Sequence, residues 1–146
     1  MYKILVFVNL FFATTLMAGN ITWAKDYQSG IKEATAQNKP VLFVYSRHSC
    51  KYCVILEETT FKDAKVIEAL KRDYVAIISY TDENDYTPRE LVRPGTPTIW
   101  FLFPNGEPMF QPLMGAVDAE NFLKALAVVK EEFEAMKKEN KKESKK

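Results

Sequence analysis

The run Val41-Leu42-Phe43-Val44-Tyr45 sets the first limit on how this chain can fold. It is apolar almost without interruption and opens after Pro40, so it does not alternate as a half-exposed strand would. It reads as a strand covered on both faces, the habit of parallel sheets packed between helices. The neighbouring segments supply such helices. Asp26 is placed to cap one whose face carries Tyr27, Ile31 and Ala34 and which ends near Asn38. Val54 to Glu58 has helical character, and a second piece begins at Asp63 with Val66, Ile67 and Leu70 on one side. Tyr74 to Ser79 is a further strand. Thr87-Pro88-Arg89-Glu90 reads as a helix start, with Thr as N-cap, Pro in first position and Glu closing a capping box. Strand Thr98 to Phe103 leads into the turn Pro104-Asn105-Gly106-Glu107. A strand from Met109 to Met114 follows, assigned to an edge because it contains Pro112. Asp118 caps a last helix with Phe122, Leu123, Leu126, Val129 and Phe133 at helical spacing. Strands separated by helices imply right-handed crossovers, and the final pair of strands implies a hairpin. The expected architecture is α/β, with a mixed central sheet, helices on both faces, and a C-terminal hairpin plus helix.

Length allows one such unit. With 146 residues, 47% of them hydrophobic, a second domain would leave two cores too small to be stable. A formal net charge of +1 gives no electrostatic footprint for nucleic acid. Residues 1–18 read as a signal peptide. Lys3 supplies the positive start, and Ile4 to Leu16 is too short an apolar run for the roughly 20 residues of a spanning helix. Cleavage is expected after Ala18, although Leu16 departs from the small residue preferred there; an uncleaved N-terminal anchor is the alternative. No Cys lies near that point, so attachment through a lipidated N-terminal Cys is not expected. Either way the folded part is expected outside the cytosol, in the periplasm or an equivalent compartment where disulfides persist. The domain is expected over 19–136, with 137–146 a charged tail that frays into disorder.

The chain has two cysteines, Cys50 and Cys53, separated by Lys51 and Tyr52 and lying between a buried strand and a helix start. Cys-x-x-Cys in that setting is a redox signal. A closed structural zinc site needs four ligands, and the chain offers two Cys and the single His48, so no metal or cofactor is expected. Covalent haem attachment needs a His after the second Cys, where Val54 stands. A purely structural bridge would close a loop too small to stabilise the fold much. Cys50, at the helix N-terminus, is the expected nucleophile, since unpaired amides and the helix dipole favour a thiolate. Arg47, His48 and Lys51 add positive charge nearby. Cys53 is expected to be more buried, with a higher pKa. In the expected cycle Cys50 attacks a substrate disulfide, and Cys53 then attacks Cys50 sulfur and releases the reduced product. His48 is either a proton-transfer group or a bystander.

Ser46 to Cys53 after the buried strand, together with Gly95-Thr96-Pro97-Thr98 before the next, resembles the thioredoxin superfamily. Within it, the stretch from Trp23 to Leu126 is similar to stand-alone periplasmic thioredoxin-like proteins and to the C-terminal domain of DsbD-type thiol:disulfide interchange proteins. Lys39-Pro40-Val41, Glu57, Thr60-Phe61 and Pro88 to Val92 share in that likeness. The resemblance implies a thioredoxin fold and a cis bond at Thr96-Pro97. It also implies that Thr96 backbone and Pro97 meet the substrate beside Cys50, with Lys51 and Tyr52 on the same surface. The implied partners are protein disulfides, with a DsbD-like membrane thiol relay as electron donor and no nucleic acid; a monomer is expected. Two departures stand out. Ser49 replaces the usual Trp, and Val44 replaces the buried acid that assists the second Cys. That leaves Glu57 either as the substitute base or as a solvated helix residue. A reductase is the preferred reading; an oxidase, an isomerase or a redox-inactive binding module are the alternatives.

Overall fold

In the computed structural model, residues 19–144 are described. The elements run α1 (Tyr27–Gln37), β1 (Val41–Ser46), α2 (Lys51–Glu58), α3 (Ala64–Asp73), β2 (Val75–Tyr80), β3 (Thr98–Leu102), β4 (Leu113–Met114) and α4 (Ala119–Glu143). The sheet order is β2-β1-β3-β4, with β1 parallel to β2 and antiparallel to β3, which pairs antiparallel with β4. The expected signal segment 1–18 lies outside the described residues.

Alternation along β1 divides the core in two, because successive side chains point to opposite faces. Leu42 and Val44 join Leu56, Leu70, Phe101, Phe122 and Leu126, under α2, α3 and α4. Val41 and Phe43 join Ala34, Ile77, Trp100 and Leu102 on the α1 side. Both faces of the strand are thus sealed, as its unbroken apolar run requires. Gly30 lets α1 press onto β2; a Cβ there would run into the Ile77 side chain.

Local chemistry sets the ends of the elements. Asp26, Asp63 and Asp118 each cap a helix, accepting from the amides of Ser29, Val66 and Asn121 respectively. Removing the last with Asp118→Ala should cost about 1 kcal/mol in a denaturant titration. Asn38 ends α1 in the left-handed region (φ 49°), where an Asn is better tolerated than most residues.

Three segments differ from the sequence reading. The capping box at Thr87 does not form. Only a 3₁₀ turn, Arg89–Leu91, is present with Pro88 before it and no side-chain cap. Thr87 Oγ1 is buried without a hydrogen-bond partner. Trp100 Nε1 instead fixes this turn by donating to the Leu91 carbonyl at 2.9 Å. The strand expected over Met109 to Met114 shrinks to Leu113–Met114, since Pro112 has no N–H to offer; β4 does lie at the sheet edge. Finally, α4 continues to Glu143, so 137–143 are helical where a frayed tail was expected. Lys, Glu and Ala are good helix formers, and pairs such as Lys137–Glu134 (3.3 Å) support the exposed turns.

Asp73 ties α3 to α4. Its carboxylate receives Lys130 Nζ at 2.9 Å and Arg72 at 2.9 Å. Burial pushes the carboxyl pKa up, but the hydrogen bonds from Arg72 and Lys130 outweigh it and hold it below the ordinary value. A folded pKa below the unfolded one adds stability above the unfolded pKa, about 3.9, and that stability is lost as pH falls through the lower folded value. Asp73→Asn should therefore flatten the acid limb of a stability-versus-pH curve from about pH 4 downwards, read from denaturation midpoints.

Candidate functional site

The two cysteines sit where β1 hands the chain to α2. Cys50 is the N-cap of α2, and its sulfur accepts from the Cys53 amide at 3.2 Å. Its thiol donates to the Thr96 carbonyl at 3.3 Å. Cys50 is half-buried, whereas Cys53, one turn into the helix, is wholly buried. Both are free thiols in this structure.

Their environments push them in opposite directions. For Cys50, burial raises the pKa, but hydrogen bonds from the Cys53 and Thr96 side chains and from the Cys53 and Tyr52 amides outweigh it and bring the thiol below its ordinary value. For Cys53, burial dominates, aided by the hydrogen bond with Cys50, and pushes the thiol up; the Thr96 and Ser46 side chains oppose this only in part. Two of the three charges expected to lower Cys50 are engaged elsewhere. Arg47 Nε donates to Thr81 Oγ1 at 3.1 Å. His48 stacks on the Tyr80 ring at 3.9 Å and meets Glu83 at 2.6 Å. Hydrogen bonds at the helix N-terminus, rather than these side chains, do the work.

Thr96-Pro97 lies across from Cys50, and the peptide bond between them is cis. Pro97 is buried and its carbonyl accepts from the Gly115 amide at 2.9 Å, which ties the loop to the end of β4. Lys51 and Tyr52 are exposed on α2 beside the pair, and Val54 and Ile55 continue an apolar surface there.

Glu57 is not a freely solvated helix residue. Its Oε1 accepts from Ser46 Oγ at 2.8 Å and its Oε2 from the Tyr80 hydroxyl at 2.9 Å. Ser46 and Tyr80 are register partners at the C-terminal ends of β1 and β2. Three participants escaped the sequence reading: Ser46, Tyr80 and Asp82. Asp82 accepts from the amides of His48 at 3.2 Å and Ser49 at 3.3 Å, so it fixes the loop leading into Cys50. Ser46 and Tyr80 could have been found only by aligning the two strand ends. Among the described residues no group of three or more His, Cys, Asp or Glu is placed to hold a metal, and no helix is long and apolar enough to cross a membrane.

Similarity to known proteins converges on this arrangement. The thioredoxin-like domain family matches residues 27–130. The chain is 35% identical over 103 residues to the thiol:disulfide interchange protein DsbD of Pseudomonas fluorescens, covering 67% of this chain and 18% of that protein. It is 28% identical over 78 residues to mouse anterior gradient protein 3, covering 48% of this chain and 47% of that one. It thus spans less than half the length of either relative. Among solved structures, a thioredoxin from Thermus thermophilus superposes with a TM-score of 0.64 at 26% identity, over 76% of this chain and 88% of that one. The C-terminal domain of Neisseria meningitidis DsbD, oxidised form, shares the fold with a TM-score of 0.53 at 20% identity, over 66% and 86% of the two chains. With its dithiol at the N-terminus of α2 and its Thr96-Pro97 loop opposite, the chain belongs to the thioredoxin-like domain family.

Proposed function

We propose that this chain is an exported reductase of protein disulfides, working through Cys50 and Cys53. The observation that carries the reading is the division of labour within the pair. Cys50 is reachable and its thiolate is favoured, so it suits the attack on a substrate disulfide. Cys53 is buried and its thiol is held protonated, so it waits until a mixed disulfide has formed and then displaces the substrate. Thr96 backbone and Pro97 present the substrate chain to Cys50, and Lys51 and Tyr52 contact it from the helix side. The exposed Tyr52, Val54 and Ile55 suit an apolar polypeptide segment. Glu57 acts as base toward Cys53 in place of the acid missing at Val44. The protein works as a monomer, and the likeness to DsbD supports a membrane thiol relay as electron donor.

Alkylation across pH tests the division directly. Cys50 should reach its rate plateau below the roughly 8.5 of a free thiol, and Cys53 should stay unreactive until well above it. Two cysteines that react alike, both near 8.5, would overturn the assignment. Direction is tested by equilibration with glutathione. A potential at or below about −230 mV supports a reductase, whereas one near −120 mV reverses the direction of electron flow.

A further inference from the structure

We propose that Met114 is a peroxide-sensitive residue of the substrate-docking face, and that its conversion to the sulfoxide weakens docking of protein disulfides while the dithiol stays competent. This inference rests on the redox reading of the Cys50–Cys53 pair and adds a means of regulating the face that receives its substrate.

Position is the first argument. Met114 ends β4 and is the register partner of Thr98, the first residue of β3. Its Sδ lies 3.3 Å from Thr98 Oγ1. Its Cε sits so near Gly95 that a Cβ added there would meet it at 3.2 Å. The next residue, Gly115, donates its amide to the Pro97 carbonyl at 2.9 Å. Met114 therefore touches the Gly95–Thr98 loop on both sides of its cis bond. The Thr96 carbonyl of that same loop accepts the Cys50 thiol at 3.3 Å. A polypeptide laid along the loop to reach Cys50 runs beside Met114.

Chemistry is the second argument. Met114 is 53% exposed, whereas Met109 and Met136 are half-buried, so it is the most open methionine among the described residues. Thr98 does not shield the sulfur by hydrogen bonding. Its hydroxyl has one hydrogen, and the 2.6 Å bond to the Gly95 carbonyl uses it. An unbranched, polarisable thioether adapts to many apolar partners, which suits a surface that serves varied polypeptides. The sulfoxide is polar and gives up that contact.

The step balances with hydrogen peroxide as oxidant. A lone pair of Met114 sulfur attacks one peroxide oxygen, the S–O bond forms and the O–O bond breaks. The second oxygen leaves as water with both hydrogens. The thioether is oxidised by two electrons, and the peroxide is reduced by two. Neither cysteine takes part, and joined as a disulfide both sulfurs are kept from the thiolate route to sulfenic acid.

The test treats the protein with hydrogen peroxide in its Cys50–Cys53 disulfide form, then restores the dithiol with dithiothreitol. Peptide mapping should find the sulfoxide on Met114 before Met109 or Met136. The KM for insulin should rise at least about fivefold, with kcat within about twofold. Reduction of a small aromatic disulfide, which needs only the Cys50 sulfur, should stay within about twofold of the untreated rate. Methionine sulfoxide reductases should return the KM to its starting value. Met114→Leu, compared with its own untreated sample, should lose nothing to peroxide. Earlier oxidation of Met109 or Met136, an unchanged KM with Met114 oxidised, or an equal loss in Met114→Leu would overturn the proposal. So would an equal slowing with the small disulfide, since the damage would then lie at the thiols. Untreated protein that reduces neither disulfide would remove the underlying redox reading, and this proposal with it.

Discussion

Replacing Cys50 with serine is expected to drop disulfide reduction to the uncatalysed rate while leaving the fold as stable as before. The two halves of that result have separate causes. A serine hydroxyl at neutral pH offers no thiolate and cannot enter thiol–disulfide exchange, so no mixed disulfide forms. Structurally, Cys50 is the N-cap of α2, where its side chain accepts from the Cys53 amide. Serine is among the best residues for that position, so the helix start keeps its cap or gains a better one. A melting curve and an insulin-type reduction assay on the same sample read both halves. Retained turnover would remove Cys50 from the chemistry; a collapsed melting curve would mean that the site is held together by more than its cap.

Phe122→Ala should be the most damaging change to the core under α4, costing about 3–5 kcal/mol. Phe122 is fully buried and meets Phe61 edge-on at 5.6 Å and Phe101 at 6.3 Å between ring centroids. It therefore joins the last helix to both β3 and the turn after α2. Loss of the ring leaves a cavity that α4, also tied down through Asp73 and Lys130, does not close. With domains of this size stable by only about 5–15 kcal/mol, the melting temperature should fall by at least about 10 °C. The half-buried neighbour Leu123 provides the contrast, and Leu123→Ala should cost clearly less. The reverse order in a thermal or denaturant titration would place the core seam of α4 wrongly.

Much of this fold could be read from local chemistry. The Asp26 and Asp118 caps, the turn at Gly106 and the apolar stripe of α4 each depend on residues close in sequence, and each appears where its pattern stands. The unbroken run in β1 was legible because burial on both faces leaves it no polar side. Thr87 shows the limit. The capping pattern is present, but Trp100 and the buried Leu91 hold the segment as a single 3₁₀ turn, and contacts from a distant strand decide the outcome. At the site, Cys50 and Cys53 were marked by their spacing at a strand-to-helix junction, whereas the place of Thr96 and Pro97 was implied by the resemblance to the thioredoxin superfamily. The surroundings of Glu57 did not, since Ser46 and Tyr80 lie 11 and 23 residues away in sequence and meet it only through the parallel register of β1 and β2. The charges near Cys50 failed for the same reason: sequence proximity does not tell where a side chain points, and Arg47 and His48 turn to Thr81 and Glu83.

Intact-mass analysis of the Cys53→Ser protein separates attack by Cys50 from resolution by Cys53. After exposure to a disulfide substrate, that variant should accumulate a stable mixed disulfide that peptide mapping places on Cys50, because nothing is left to displace the substrate. The Cys50→Ser protein, treated in parallel, should remain unmodified at its buried Cys53. An adduct that fails to form in the first variant, or that forms as readily through Cys53 in the second, would reverse or remove these roles of the two cysteines.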